Sequence, residues 1–599
     1  MEIKKAVENK KSNGLFGFFI SFFRISICNI INNIVQSSYS PALFWHSSRN
    51  AEAAGIFRIG ALTMKKLLLW CLTAALLLGG MGFSFAEEKT PLTLWVPENL
   101  RIADWKTNDM TLWLEEQGNF DLTFITQPSG SDYRTKVNLA LIAGNISDLP
   151  DVILGSFSDT QVWEWAQAGS ILPLTEYYAD AELAKNINEA IVRTNSDYPK
   201  QITSPDGNIY GVATLNQSYG NEYGHKMWYS KSWLAALEAE EPATTEEFYQ
   251  LLKKVKETDL NGNGKADEIG LIGTFNSGSY GGWFNYLMNA FVYAGDGQFL
   301  TVDDGVVSLA YTTEEWKAGL KYIRKLFAEG LIASETLTID DTQFKALMNS
   351  ESQVVFSLNY FAPDMLDANG PRVTEYHYLA PLKGENGVQY ASYSQSVATI
   401  SFLVTANCKH PEAAFKLGDL MSSEYIGITQ RWGKEGSEWD YIANVENAEN
   451  YVASVGSFPV SIVTYHDAQF WGGSEVTNES WRQVGPYVRQ YGIACGVGID
   501  PSTTQEYTII LNGAWDLYQQ GGFNPSETIP KLIYTSEESD LISEIESNLK
   551  TFVMEKTAAF LMGNEDIDAG WDAFQQELKA IGCGTYVETV QTVYDRMYK

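Results

Sequence analysis

The sequence has little cysteine and histidine, and it lacks the motifs of several common enzyme classes. Five cysteines and five histidines occur in 599 residues. No H-E-x-x-H, G-x-S-x-G or P-loop motif is present, which argues against zinc proteases, serine hydrolases of that type and P-loop nucleotide hydrolases. The histidines beyond residue 87 are scattered without metal-ligand spacing, at His225, His377, His410 and His466.

The chain has too few cysteines for disulfide bonds to stabilise the whole fold. Beyond residue 87 the chain has Cys408, Cys495 and Cys583, which permit one disulfide and a free thiol in any pairing. A chain of this length buries a large core without cross-links. We therefore expect a fold that does not depend on disulfides.

Internal repeats, low-complexity tracts and Pro/Ser-rich linkers are also missing. The length would allow about three domains of ~150 residues, but the lack of linkers favours one body with several chain connections. The formal net charge is −32 at pH 7, and residues 1–86 are net basic, so the remainder is more acidic still. Such a surface repels phosphate backbones, which makes nucleic acid an unsuitable partner.

Residues 64–86 have the pattern of a secretory signal peptide. Lys65 and Lys66 precede an apolar run over residues 67–78, and Ser84 and Ala86 place small residues where signal peptidase cuts. The apolar run is shorter than the roughly 20 residues that span a bilayer. We therefore expect residues 87–599 to work outside the cell.

The preceding residues 1–63 are not expected to belong to the fold. We interpret them as a leader that was assigned in error upstream of a start at Met64; the alternative is an unusually long n-region. Cys71 lies inside the apolar run, directly after Trp70, whereas a lipidated cysteine follows a small residue at the end of that run. We therefore expect no lipid anchor.

The first part of the mature chain predicts a parallel sheet. Residues 91–97 predict a strand, residues 132–144 a helix and residues 148–154 a second strand. Strand, helix and strand in this order form a βαβ unit. Ligands of such sheets bind beyond the carboxyl ends of the strands, where Trp95, Glu98 and Ser156 stand.

The sharpest local motif is the segment 259–268, DLNGNGKADE. Oxygen side chains recur at alternate positions, Gly264 stands where a calcium loop turns, and Lys265 would offer its carbonyl. Gly270 replaces the bidentate Glu of an EF-hand, so another carboxylate must complete the shell. The alternative is a polar Asn-Gly turn. We predict a structural Ca²⁺ site whose ligands are Asp259, Asn261, Asn263, Lys265, Asp267 and Glu268.

An ordered set of motifs resembles one known family. It includes KVNLALIAGNISDLPDVI, AGSILPL, DGNIYGV, DLNGNGKADEIG, CKHPEAAFKLGDLMSSEY, RWGKEGSEWD and FLMGNEDIDAGWDAFQQELKAIG. Together these segments cover nearly all of residues 91–599. The chain resembles the family 1 extracellular solute-binding proteins that serve carbohydrate ABC importers, most closely the large subgroup associated with complex or acidic oligosaccharides.

The resemblance implies an α/β, bilobed periplasmic-binding-protein-like fold of type II, like that of maltodextrin-binding protein. Two α/β lobes would be joined by several crossovers, with lobe one at about 91–212 and 397–423 and lobe two at about 227–390 and 430–599. The protein would be a monomer that binds an oligosaccharide between the lobes and delivers it to the membrane subunits of an ABC permease. It would be secreted to the extracellular face of the envelope.

Sugar binding requires aromatic platforms and polar side chains rather than catalytic pairs, and the sequence has 17 Trp and 32 Tyr. For any single ring, packing in the core is the more frequent role. The candidate ligand-binding residues, led by Trp283 and Tyr360, are Trp95, Glu98, Ser156, Tyr210, Trp228, Asn276, Tyr280, Trp283, Tyr360, Phe361 and Trp432.

Two other functions stay open at this point. A secreted glycoside hydrolase would need two carboxylates at a set separation, and Glu435 and Asp440 lie near an aromatic-rich region. A binding protein for a peptide or another non-sugar solute would need fewer stacked rings and more charge-matching groups. We expect a binding protein that is not an enzyme.

Overall fold

The computed structural model describes residues 88–599 except 276–281, 296–298, 351–353, 360–361, 368–369, 371, 466–474 and 526–527. Residues 88–599 form one compact unit. In the part of the chain so described, no helix has the length and apolar character needed to cross a membrane. Cys408, Cys495 and Cys583 are free thiols.

The strands and helices alternate along most of the chain. The strands are β1 Thr90–Pro97, β2 Phe120–Gln127, β3 Val152–Leu154, β4 Val212–Asn216, β5 Lys226–Ser230, β6 Ile269–Ile272, β7 Leu300–Asp303, β8 Val306–Leu309, β9 Val354–Asn359, β10 Tyr376–Leu379, β11 Thr399–Val404, β12 Trp439–Tyr441, β13 Val452–Ala453, β14 Ile462–Thr464, β15 Val488–Arg489 and β16 Val497–Ile499. The helices are α1 Asp109–Gly118, α2 Gly130–Ile142, α3 Asp159–Gln167, α4 Thr175–Ala179, α5 Lys185–Thr194, α6 Tyr219–Glu222, α7 Lys231–Ala236, α8 Thr245–Lys256, α9 Trp283–Met288, α10 Glu314–Ala328, α11 Asp341–Met348, α12 Ala362–Met365, α13 Pro411–Met421, α14 Glu424–Trp432, α15 Tyr491–Ala494, α16 Glu506–Gln520, α17 Ser536–Met562, α18 Ile567–Ile581 and α19 Cys583–Tyr598.

The first sheet has six strands in the order β15–β4–β11–β3–β1–β2. β1 is parallel to β2 and β3, and β15 is parallel to β4. β11 lies between β3 and β4 and is antiparallel to both. Five strands therefore point the same way, and β11 alone is reversed.

The predicted βαβ unit is present but contains two more elements. α1 and β2 lie between β1 and α2, because Asn108 accepts a hydrogen bond from the Met110 N–H at the start of α1 and the FDLTFITQ segment pairs with β1. In β2, Phe120 and Leu122 are buried while Asp121 is exposed, as expected for a strand with one wet face. The strand expected over 148–154 is shorter than predicted, only β3.

The first hydrophobic core covers both faces of this sheet and takes in β1–β4, β11 and helices such as α2 and α13. Trp481 and Val488 also belong to it, although the predicted lobe boundaries place both in lobe two. The reason is that β15 pairs with β4 and the Trp481 indole N–H donates to Thr111 Oγ1 at 2.8 Å.

The second core surrounds a sheet of order β10–β5–β9–β6 and includes α8, α10 and the C-terminal helices α17–α19. Thr244 caps α8, accepting the Glu247 N–H. In α10, Trp316, Leu320 and Ile323 recur at helical spacing and are fully buried, whereas Phe327 is only partly buried.

Two smaller sheets complete the fold. One has the order β12–β14–β16–β13, and its side chains pack with α14 and α15 around Trp439 and Ile462. The other is the β7–β8 hairpin. Where the β12–β14–β16–β13 sheet lies, the sequence predicted only an aromatic-rich region.

Neighbouring chain segments between the two cores are hydrogen-bonded to one another. Residues 217–225 lead from β4 to β5, and residues 390–398 lead back towards β11. The Ser394 N–H donates to the Glu222 carbonyl at 2.8 Å, and the Ala391 N–H donates to the Phe523 carbonyl at 2.9 Å. The segment 521–535, which joins α16 to α17, thus lies beside the returning segment.

Lys226 is a charged side chain inside this junction, at the start of β5. It is fully buried, its ammonium donates to the Tyr223 carbonyl, and Nζ lies 5.9 Å from the centroid of the Trp515 ring. Burial removes the ammonium from water and lowers the pKa of Lys226 to about 7. At pH values at which Lys226 is protonated in the folded chain, its buried charge therefore destabilises the fold.

We expect Lys226→Met to change how stability depends on pH. Between pH 7 and about 10, the unfolded chain keeps the Lys226 proton while the folded chain has lost it. The free energy of unfolding of the natural chain should then rise relative to Lys226→Met by up to about 1.4 kcal/mol per pH unit. Urea unfolding at pH 6.5, 8 and 9.5 measures this difference. The exposed Lys185→Met is the control, and parallel pH profiles for Lys226→Met and the natural chain would contradict the prediction.

Candidate functional site

The carboxyl ends of five strands meet at one edge of the first sheet, since only β11 is reversed. Glu98 follows β1, Gln127 ends β2 and Ser156 follows β3. The amino end of β11 lies at the same edge, so residues 390–398 enter it there. Such an edge is the usual ligand-binding position in open α/β sheets.

Three of the predicted ligand-binding residues lie together at this edge. Trp95 is half-buried, and the ammonium of Lys136 lies 5.7 Å from the centroid of its ring. Glu98 and Ser156 are exposed. Trp95 pairs in register with Ile153 of the neighbouring strand, which brings the ends of β1 and β3 side by side.

Two predicted aromatic platforms are core residues in this structure. Trp228 is 1% exposed and Trp283 is 0% exposed, so protein atoms cover their ring faces. The Trp283 indole N–H donates to the Thr274 carbonyl at 3.2 Å. Both rings were selected because they were expected near strand ends. Trp228 lies instead within the internal strand β5 and Trp283 begins helix α9, and both pack inward.

Tyr210 and Trp432 lie away from the edge residues. Tyr210 precedes β4, at the opposite edge of the sheet, where it is buried and its hydroxyl donates to Asp206 Oδ2 at 2.7 Å. Trp432 ends α14 and packs with the separate cluster around Trp439. The predicted Asn276, Tyr280, Tyr360 and Phe361 lie outside the described residues.

A cavity of about 330 Å³ lies between the edge of the first sheet and the second core. Its walls come from residues 293–295 and 300, from the returning segment 390–398, from residues 528–534 and from the C-terminal helices. It is lined by Tyr293, Gly295, Leu300, Tyr393, Ser394, Gln395, Val397, Thr528, Ile529, Pro530, Lys531, Leu532, Tyr534, Glu546 and Tyr586.

Lys531, in the wall of this cavity, contacts residues next to the first sheet. Its ammonium donates to Asp159 Oδ1 at 2.9 Å and to the Ala398 carbonyl at 2.7 Å. Asp159 begins α3 just after β3, and Ala398 directly precedes β11. Burial raises the pKa of Asp159, and the Lys531 charge opposes that rise. The ion pair thus joins the second half of the chain to the carboxyl edge.

Tyr534, Tyr586 and Glu546 all line the cavity. Burial, with a smaller contribution from the Glu546 charge, raises the pKa of both tyrosines. Both phenols therefore stay protonated and can donate hydrogen bonds. The arrangement offers hydroxyl donors, a carboxylate acceptor and aromatic ring faces in one space.

The sequence prediction missed every residue of this cavity. Glu546 stands on a long amphipathic helix, where a carboxylate is usually a solvated surface charge. The cavity residues come from separate segments between Tyr293 and Tyr586, which no local pattern joins. The tyrosine-rich run YASYSQS at residues 390–396 was the one usable signal.

In the predicted calcium loop, backbone N–H groups donate hydrogen bonds to two carboxylates of the same loop. Asp259 accepts the N–H groups of Asn263 and Gly264 at 3.1 and 2.7 Å. Gly264 has φ +86°, a conformation that glycine adopts without strain. Glu268 Oε1 accepts the N–H groups of Leu260 and Asn261 at 2.6 and 2.9 Å. Four of the predicted ligand residues are therefore already held within one turn.

One oxygen of the loop has no partner in the described chain. Glu268 is 8% exposed, and its Oε2 is buried without a hydrogen bond. Among the described residues, no group of three or more His, Cys, Asp or Glu side chains is arranged to hold a metal. The ligand set therefore depends on the amide oxygens of Asn261 and Asn263 and a backbone carbonyl, which are oxygen ligands that Ca²⁺ accepts.

We expect Lys531→Ala to destabilise the protein by about 1–3 kcal/mol, because it leaves the Asp159 carboxylate, 22% exposed, without a partner. Asp159→Asn in the same background should recover part of that loss. Urea unfolding of the two single variants and the double variant gives the coupling energy. The exposed Lys550→Ala is the control, and an equal effect of Lys531→Ala and Lys550→Ala would contradict the prediction.

Comparison with known proteins places this fold. The family model described as bacterial extracellular solute-binding protein matches residues 103–424. The fructooligosaccharide ABC transporter substrate-binding protein FusA of Streptococcus pneumoniae serotype 4 is 26% identical over 532 residues, covering 87% of this chain and 92% of that protein.

Solved structures agree on the architecture. An extracellular solute-binding protein from Bifidobacterium longum subsp. infantis has a TM-score of 0.67 at 21% identity, covering 85% of this chain and 99% of that one. An EF-hand mutant of S. pneumoniae FusA in complex with fructo-nystose has a TM-score of 0.61 at 22% identity, with the same coverage. The predicted bilobed α/β fold is confirmed, and the chain belongs to the bacterial extracellular solute-binding protein family.

Proposed function

We propose that this protein is the substrate-binding component of an ABC importer and that it captures an oligosaccharide between two lobes. The observation that carries the proposal is the tyrosine-lined cavity at the carboxyl edge of the first sheet, against the second core. Sugars have apolar C–H faces and rings of hydroxyl groups, and tyrosines with a carboxylate complement both. The similarity to FusA, whose name includes fructooligosaccharide, supports the same ligand class.

Binding and release would use a hinge between the lobes. Lobe one would contain the first core with Trp481 and Val488, and lobe two the second core. Residues 217–225 and 390–398 would bend, and the sugar would favour the closed form because only closure lets both walls touch it. The closed form would then be the one that the permease recognises.

The protein would deliver the sugar to the permease without altering it chemically. The sequence carries none of the catalytic motifs considered above, and the relatives are named as binding proteins. We place the protein at the extracellular face of the envelope, as a monomer without a lipid anchor. Residues 64–86 would direct its export.

We expect the purified chain 87–599 to be stabilised by an oligosaccharide from a panel of fructans, α-glucans, galactans and mannans. At a hundredfold excess over Kd the free energy of unfolding should rise by about 2.7 kcal/mol, with no release of reducing ends. Tyr534→Phe should weaken binding about three- to tenfold, while Tyr177→Phe, in the first core and outside the cavity, should not. Release of reducing sugar would mean an enzyme, and no stabilisation by any sugar would contradict the proposal.

We also propose that the loop 259–268 binds a structural Ca²⁺ through oxygens of Asp259, Asn261, Asn263, Asp267 and Glu268 and the Lys265 carbonyl. Buried Glu268 Oε2 supports this, since a buried carboxylate oxygen without a hydrogen bond suits a cation. The solved relative that carries an EF-hand mutation is consistent with a calcium loop in this family.

We expect a chelator to lower the melting temperature of the natural chain, because the metal binds the folded state only. Asp259→Ala should abolish that response. Asp500→Ala, which removes another loop carboxylate, partly exposed and accepting hydrogen bonds from Ser502, should leave that response intact. An unchanged melting temperature of the natural chain in chelator would refute the metal site.

A further inference from the structure

Among the described residues that line the cavity, Glu546 is the one carboxylic acid. It lies on α17, and within the described part of the chain its carboxylate makes no hydrogen bond or ion pair. A carboxylate so placed can only accept hydrogen bonds or attract a cation. Whatever fills the cavity must therefore donate to Glu546.

The cations around the cavity already have partners. Lys531 is held by Asp159 and by the Ala398 carbonyl. Arg596, on the far side of the segment 521–535, donates to both carboxylate oxygens of Glu538 at 2.6 and 2.9 Å and to the Ile533 carbonyl at 2.8 Å. Each can still donate an N–H to a ligand, but its positive charge is already balanced by its own carboxylate, so neither supplies a net charge for an anionic ligand.

The rest of the chain offers no substitute cation here. None of the undescribed residues beyond position 87 is Lys or Arg. No further lysine or arginine lines the cavity besides Lys531, as far as the described residues extend. A ligand carboxylate in this space would therefore meet the Glu546 charge beside a single lysine whose charge Asp159 already balances.

The hydroxyl groups of a neutral sugar fit the same set of groups. Two adjacent sugar hydroxyls can donate to the two oxygens of Glu546, and hydrogen bonds to a charged acceptor are stronger than those between neutral groups. The phenols of Tyr534 and Tyr586 can donate to the remaining sugar oxygens.

Resting on the proposed function, we infer that Glu546 is a specificity-determining residue: it accepts hydrogen bonds from sugar hydroxyls and repels acidic sugars. The protein then takes a neutral oligosaccharide and rejects uronic acid oligomers. Specificity of this kind combines an attractive contact with the right ligand and a like-charge clash with the wrong one.

The test compares sugars that differ in charge but not in size. Titration calorimetry at pH 7 measures binding of kestose, maltotriose and galactotriose, and of trigalacturonate, whose C6 carboxylate replaces the hydroxymethyl group of galactose. The proteins are the natural chain, Glu546→Gln and Glu544→Gln. Glu544 is exposed on the same helix and outside the cavity, so its variant loses the same charge elsewhere.

The natural chain should bind at least one neutral sugar and bind trigalacturonate at least about a hundredfold more weakly. Glu546→Gln should weaken binding of the neutral sugar about 10- to 100-fold. It should also reduce the ratio of the affinity for the neutral sugar to the affinity for trigalacturonate. Glu544→Gln should change neither. The change in ratio distinguishes a role in specificity from a loss of structure, which would weaken all ligands alike.

Tighter or equal binding of trigalacturonate by the natural chain would overturn the inference and leave the proposed function standing. An equal narrowing of the ratio in Glu544→Gln would also overturn it, because the effect would then come from overall charge. Failure of every sugar to bind would instead contradict the proposed function itself, and the inference with it.

Discussion

The reversed direction of one strand gathers the connecting segments and the carboxyl ends of the other strands at one edge of the first sheet. Because β11 is antiparallel to β3 and β4, the chain leaves the first sheet after β4 and returns into β11 at the same edge. If β11 were parallel, the return would have to pass to the opposite edge, since parallel strands need a crossover. Both connections, and the carboxyl ends of β1–β3, are thus gathered on one side.

This constraint also explains why the contacts at the edge are polar. Backbone groups of the connecting segments need partners away from the sheet ladders, and they find them in one another, as between Ser394 and Glu222. The Tyr491 hydroxyl donates to the buried Glu222 carboxylate, and the Tyr491 ring stacks on Tyr219 at 4.7 Å. A junction built from hydrogen bonds and aromatic contacts, rather than from a continuous aliphatic core, can rearrange when the two sides move.

The sequence predicted the elements better than their assembly. Local rules were sufficient for α8, where Thr244 supplies the cap, and for α13, which begins at Pro411. β2 was missed, because its FDLTFITQ alternation lay between two clearer elements. Trp95, Glu98 and Ser156, chosen from strand ends alone, lie at the carboxyl edge of the first sheet, and their role in binding stays a prediction. Trp228, inside strand β5, and Trp283, at the start of helix α9, are buried, since whether a ring faces the core depends on neighbouring elements that no local pattern reveals.

The cavity residues could not have been found by spacing. Lys531, Glu546 and Tyr586 meet residues 390–398 only through the tertiary fold, and their chemistry depends on which charges are already paired. Overall charge acts in the same direction as the local arrangement: a formal net charge of −32 lowers the local concentration of anions near the protein. That long-range effect is screened beyond about 8 Å at physiological salt, whereas the Glu546 carboxylate acts at contact distance. Selection between neutral and acidic ligands should therefore persist at high ionic strength if it comes from the cavity and fade if it comes from the surface.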